Sequence, residues 1–228
     1  MKSEIEMWCA IMNKNCKNET KRELFLPMEI GMPSQLENLA LPDPVLVTQY
    51  NEINNRILWV QGDIDECVLE VGKQIQMFNV MDAGIPAEDR KPIKLFVFSN
   101  GGMDTCAWYL VDAIESSVTP VWTINAGKAM SNGLTVLLAG HKRFTYPHAV
   151  AMYHSGSAGL EGTKEQLESA QKYIKNQDKI YEKWFLEKTN ISTKLFGSKK
   201  KTDWYLTAQE MKELGIVDCI ISSLTDIL

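Results

Sequence analysis

The strongest constraint on this chain is an alternation. Short apolar, β-branched runs each close on a turn, and a helical pattern follows. Arg56-Ile57-Leu58-Trp59-Val60 reads as a strand closed by Gly62, and residues 65–81 read as a helix, with Val68, Val71, Ile75 and Phe78 three and four apart. Residues 82–92 form a polar loop with two prolines, and residues 93–98 a second apolar strand. Ser99-Asn100-Gly101-Gly102 then turns into a helix that has Ala107, Leu110, Val111 and Ile114 on one face. A third strand begins at Val121. It is broken by Gly127 and followed by a short buried helix, Asn132 to Ala139, which Gly140 closes. Arg143 and Phe144 lead to Pro147, and residues 149–153 form another strand. Such an order implies an α/β fold with a largely parallel sheet covered by helices.

Ser131 sits where the third strand passes into its helix, among Ala126, Gly127, Ala129 and Gly133. Small residues at such a junction can expose a hydroxyl at the end of a sheet. The unpaired N–H groups at the helix start favour negative charge beside it. A nucleophilic serine needs that setting because its attack creates an oxyanion. The same position also suits an ordinary N-cap serine. Three strand ends carry a glycine pair, Ser131 and His154, and sites in open α/β sheets collect at the carboxyl ends of strands.

A serine nucleophile needs a base, and the chain has three histidines. His141 lies in a polar turn with Lys142 and Arg143, where solvation is expected. His148 begins a strand, away from the carboxyl ends. His154 ends that strand beside a glycine-containing turn and is the best base. The carboxylate that would orient it could be Asp203, Asp218 or Asp178. Asp178 lies on a long helix that places it poorly, and the residues themselves do not choose between Asp203 and Asp218.

That long helix covers residues 162–188. Thr163 and Gln166 form a capping box at its start, and Leu167, Ala170, Ile174, Tyr181 and Trp184 form its apolar stripe. About 25 residues span ~37 Å, more than a domain of this size needs, so the helix is expected to project and its stripe to seek a partner. The alternative is a helix lying along its own domain. Thr207 and Glu210 form a second capping box, its short helix ending at Leu214-Gly215, and residues 217–221 read as a last strand. Residues 1 to about 50, interrupted by Pro27, Pro33, Pro42 and Pro44, read as a partly extended N-terminal arm, with residues 51–228 as the folded domain.

A net charge of −5 argues against a nucleic-acid partner. Lys199, Lys200 and Lys201 read as a solvated loop. Five cysteines, an odd number without metal-site spacing, fit a reduced, cytoplasmic setting, with no metal and no cofactor expected. No apolar run suits a signal peptide or a membrane span.

These residues together resemble ClpP, the proteolytic subunit family of the ATP-dependent Clp protease. Gly127-Lys-Ala-Met-Ser131-Asn-Gly133 is similar to the family's nucleophile motif, and Met152-Tyr-His154 to its histidine segment. Asp203 to Glu210, running into Leu214-Gly-Ile-Val-Asp218, resembles its aspartate segment. Ser99 to Gly102 resembles its glycine turn, and Asn55-Arg56-Ile57 with Gly62 its first strand. The resemblance spans roughly residues 50–223. It implies the ClpP/crotonase-like fold, a repeated β-β-α superhelix with a long handle helix by which two rings interlock. It assigns Ser131 as nucleophile, His154 as base and acid, and Asp203 as the orienting carboxylate. It also places an oxyanion hole on the backbone N–H groups of Gly102 and Asn132. A serine endopeptidase in stacked heptameric rings is implied, working on unfolded polypeptides with a Clp-type ATPase. The chain departs from the family where Asn100 replaces a proline, Ser155-Gly156 replaces Gln-Pro, and Thr202 and Trp204 flank Asp203 without an arginine. Other classes compatible with the sequence are a catalytically silent ring subunit, a phage head-maturation protease, and a crotonase-like acyl-CoA enzyme.

Overall fold

The structure is a computed structural model that describes residues 43–157 and 159–227. Nearly all of the expected N-terminal arm, with Pro27, Pro33 and Pro42, therefore lies outside the described residues. The elements are α1 (Pro44–Asn54), β1 (Ile57–Ile64), α2 (Val68–Met81), β2 (Ile93–Gly102), α3 (Asp104–Glu115), β3 (Val121–Met130) and α4 (Asn132–Ala139). They continue with β4 (Lys142–Thr145), β5 (Val150–Tyr153), α5 (Lys164–Lys188), α6 (Thr193–Lys199), β6 (Trp204–Thr207), α7 (Ala208–Glu213) and β7 (Cys219–Ile220). The fold is α/β, with a mostly parallel seven-stranded sheet in the order β1-β2-β3-β4-β7 and with β5 and β6 attached beside it.

β3 forks. Trp122 to Asn125 pairs in parallel with β4, whereas Lys128 to Met130 pairs in parallel with β5. Gly127 lies between the halves at φ 153°, against the ring of Phe98. Asn125 is fully buried and stitches the fork, its Nδ2 donating to the Val150 carbonyl at 3.0 Å and its Oδ1 accepting from the Gly127 N–H at 3.2 Å. β6 extends β5 in antiparallel fashion, with Tyr153 opposite Trp204.

One face of the sheet carries the main core. All eight residues of α4 are buried there, as the uninterrupted apolar run required. The other face holds a small cluster, Phe96, Ile124, Phe144, Ile221 and Ile227, while Trp59 and Phe98 stay partly open to solvent.

Both capping boxes are present as read, Thr163 with Gln166 and Thr207 with Glu210. Only the last part of α5 is anchored. Tyr181 and Phe185 pack on Tyr153, Phe185 packs on Phe196, and Trp184 packs edge-on against Trp108. No residue of α5 before Tyr181 is buried, so the helix projects while the Tyr181–Trp184 end of its stripe belongs to its own domain.

Several local expectations are corrected. Pro44 does not interrupt a helix but begins α1, because its fixed φ suits the first helical position and its missing N–H has no bond to make there. The triple-lysine run is a solvated turn only in part, with Lys199 and Lys201 exposed. Lys199 ends α6, and Lys200 pairs with Glu182 at 2.8 Å. The last strand is only two residues long.

At the end of α2 a buried carboxylate meets a partly buried arginine. Asp82 is 1% exposed, receives both guanidinium N–H groups of Arg56 at 2.5 and 2.6 Å, and accepts from the Thr119 hydroxyl at 2.7 Å. Arg56 itself has a positive φ of 57° in the turn between α1 and β1. The Arg56 hydrogen bonds hold the Asp82 carboxyl at about 2, well below the usual carboxylate range. Asp82→Ala is expected to destabilise the fold by about 3 kcal/mol, since it empties a buried site and leaves the partly buried Arg56 guanidinium and the Thr119 hydroxyl without their acceptor. Because the folded carboxyl is the stronger acid, its contribution is whole above pH ~4 and drains away as pH falls toward 2. Urea titrations at pH 7 and pH 3 check both points, and the gap between wild type and Asp82→Ala should narrow at the lower pH.

Candidate active site

Ser131 stands at the junction of β3 and α4 with φ 51° and ψ −123°, a left-handed conformation that costs a non-glycine residue about 1–3 kcal/mol. Its N–H donates to the Met152 carbonyl at 2.8 Å, which locks the turn onto β5. The N-cap alternative is not what the side chain does, because Ser131 makes no capping hydrogen bond. Its Oγ instead lies 2.8 Å from His154 Nε2.

This pairing follows from the fork. Met130 is opposite Met152, so the next residues out are Ser131 on one strand and, two places beyond Met152, His154 on the other. The β5–β6 register places Tyr153 opposite Trp204, which brings His154 beside Asp203. His154 Nδ1 and Asp203 Oδ1 are 3.8 Å apart, beyond a hydrogen bond, and the Asp203 side chain is more than half exposed. The other carboxylates are elsewhere. Asp218 accepts from the Arg143 backbone N–H at 2.7 Å and from its guanidinium at 3.2 Å, and Asp178 is exposed on the projecting part of α5. His148 is exposed, and His141 Nδ1 accepts from the Val121 N–H at 3.0 Å with its pKa lowered by burial, so neither is near Ser131 in role or strand position.

The glycine turn lies directly against the serine. A Cβ on Gly101 would come within 2.6 Å of Ser131 Cβ and 2.9 Å of the Asn132 nitrogen, and one on Gly102 would overlap the Ile64 carbonyl. Both glycines also have positive φ, 99° and 150°. Only a bare backbone can pass this close. The Asn132 N–H opens α4 and has no intrahelical acceptor. Gly102 is carried beside it at the end of β2, and the Asn132 side chain donates to the Gly102 carbonyl at 2.7 Å.

The three departures from the ClpP pattern each have a local partner. Asn100 accepts from Lys128 Nζ at 2.6 Å, Ser155 donates to the Lys200 carbonyl at 2.5 Å, and Trp204 is buried under Lys199. Sequence reasoning passed over Ser99, whose buried hydroxyl accepts from the Gly101 N–H at 3.0 Å, and over the side chain of Asn132. An Asn directly after the serine was the available signal for the latter. Among the described residues, no group of three or more His, Cys, Asp or Glu side chains could hold a metal ion, and no helix is long and apolar enough to cross a membrane.

The arrangement can move the serine proton to an imidazole and offer backbone N–H groups to an oxyanion, which is the equipment of acyl transfer. Comparison with known proteins points the same way. The structure is similar to that of a ClpP1 point mutant from Listeria monocytogenes, with a TM-score of 0.68 and 25% sequence identity over 80% of this chain and 99% of that one. The Clp protease family profile matches residues 45–224, most of the chain. The chain therefore belongs to the Clp protease family, whose members are serine peptidases.

Proposed function

We propose that the chain is the proteolytic subunit of an ATP-dependent Clp protease, a serine endopeptidase acting on unfolded polypeptides. The observation that carries this reading is the 2.8 Å contact between Ser131 Oγ and His154 Nε2 at a strained strand–helix junction. A purely structural ring subunit gains nothing from holding a serine at positive φ against an imidazole. In this reading His154 takes the hydroxyl proton as Ser131 attacks a peptide carbonyl. The oxyanion forms against the N–H groups of Gly102 and Asn132. His154 then gives the proton to the leaving amine, and in a second round it activates the water that frees Ser131. Asp203 closes on His154 Nδ1 when substrate orders the site; catalytic hydrogen bonds are often long in unliganded sites. The decisive measurement is fluorophosphonate labelling followed by mapping of the adduct. Modification of Ser131 is expected, and labelling of another serine, or none, overturns the assignment.

The same proposal covers the assembly and its setting. Stacked rings, heptameric by resemblance, would enclose the sites, with the exposed length of α5 offering Tyr173 and Ile180 to a second copy. The folded domain, residues 51–228, would act in the cytoplasm with a Clp-type ATPase, and the N-terminal arm would govern access. The chain has no Gly-x-x-x-x-Gly-Lys-Ser/Thr loop, so unfolding would come from that partner. The isolated protein is accordingly expected to cleave a fluorogenic short peptide and casein but to spare a tightly folded protein. Rapid degradation of the folded substrate without ATPase would refute the enclosed chamber even if Ser131 proved to be the nucleophile.

A further inference from the structure

We infer that the side chain of Asn132, fixed by Asp104, is a positioning clamp that holds the two halves of the oxyanion hole in register. This rests on the reading of Ser131 as a nucleophile. Asn132 is 9% exposed, and its amide is used at both ends. Nδ2 donates to the Gly102 carbonyl at 2.7 Å and to Asp104 Oδ1 at 2.6 Å, which occupies both of its protons. Oδ1 accepts from the Thr135 hydroxyl at 3.4 Å, and Thr135 in turn meets the Tyr181 hydroxyl at 3.2 Å. Burial pushes the Tyr181 phenol far above its ordinary value, so it remains a neutral partner at working pH. With every bond taken, the amide has one orientation.

That orientation matters because of where the chain is weakest. Gly101 and Gly102 have no side chains to define their conformation, and glycine is the residue with the most backbone freedom to lose. The peptide that follows Gly102 is pinned on both sides: the Met103 N–H donates to the Ile64 carbonyl at 2.7 Å, and the Gly102 carbonyl receives Asn132 Nδ2. One pin ties the turn to β1. The other ties it to the residue whose own backbone N–H is the second oxyanion donor. A single residue thus supplies one donor from its backbone and, through the carbonyl on the far side of Gly102, restrains the glycine that carries the other. Asp104 begins α3, where its charge also suits the helix N-terminus, and it keeps the amide from flipping.

The test has an arm that needs no turnover. On a Ser131→Ala background, hydrogen exchange at the Met103 amide should quicken when Asn132 is replaced by the near-isosteric Leu, while the amides of the β2 core keep their protection. On the wild-type background, Asn132→Leu should lower kcat by about tenfold to a hundredfold, the range for a misplaced oxyanion donor, with KM unchanged. Asp104→Leu should lower kcat in the same sense, Asp104→Asn should recover most of it by restoring an acceptor, and the double Leu variant should lose little more than Asn132→Leu alone. Unaltered Met103 exchange, losses that multiply in the double variant, or a loss carried wholly by KM would each overturn the clamp. A wild type that neither labels nor cleaves would instead overturn the peptidase reading. A cleaving wild type matched in kcat by Asn132→Leu would overturn the clamp alone.

Discussion

Ser131→Ala is expected, on the proposed reading, to remove peptide hydrolysis almost entirely, lowering kcat by roughly 10⁴-fold or more, with the fold and the oligomeric state unchanged. The hydroxyl is the only group lost; it caps no helix and its hydrogen bond is to the partly exposed His154, so little stability is expected to go with it. Relief of the positive-φ position is not expected either, since alanine is as strained there as serine. The residual rate would come from the backbone donors and substrate binding. The measurement is turnover of a fluorogenic peptide alongside thermal melting and light scattering. Undiminished turnover in a variant that melts like wild type would remove Ser131 from the mechanism.

The second large effect is expected at Asp203. Asp203→Asn should reduce kcat by about 10²–10⁴-fold with KM little changed, because an amide cannot hold the imidazole in the tautomer that accepts the serine proton. Asp218→Asn should leave kcat far less affected and lower stability instead, since Asp218 is bonded to the backbone and guanidinium of Arg143. The comparison tests more than residue identity because the starting distance is not short. At 3.8 Å from His154 Nδ1, Asp203 must move to act. A reversed ranking, or equal small losses, would mean that His154 is oriented by something else.

Much of this site could be read from residue order. Ser131 stood out because a break between an apolar strand and an apolar helix leaves few conformations for the residue between them, and His154 because it closes the next strand. The bounds of α4 followed from an apolar run ended by glycine, and two helix starts followed from capping boxes. What stayed hidden depends on register or burial. Asp203 and Asp218 are equivalent in sequence. Only the antiparallel pairing of Tyr153 with Trp204 brings one to His154, and only Arg143 claims the other. Asp82 looked like loop polarity because its partner, Arg56, precedes a different strand, and Lys200 looked solvated because Glu182 is on the far helix. The Asn132 clamp was invisible for the same reason: its partners, Gly102 and Asp104, come from the preceding strand–helix unit.

The forked sheet also has a consequence in time. The three side chains sit on neighbouring strand ends, but a ribosome delivers them in sequence: Ser131 first, His154 after it, Asp203 last. β5 offers only four residues to hold its place, and β6 is the strand that covers its open edge. On the proposed reading, a nascent chain that has already folded β1 to β3 and α4 carries a serine without its proton carrier, and then a proton carrier without its guide. On that reading the peptidase would stay unarmed through most of its own synthesis, because Asp203 directly precedes β6, the strand that covers the open edge of β5 and follows it in the chain.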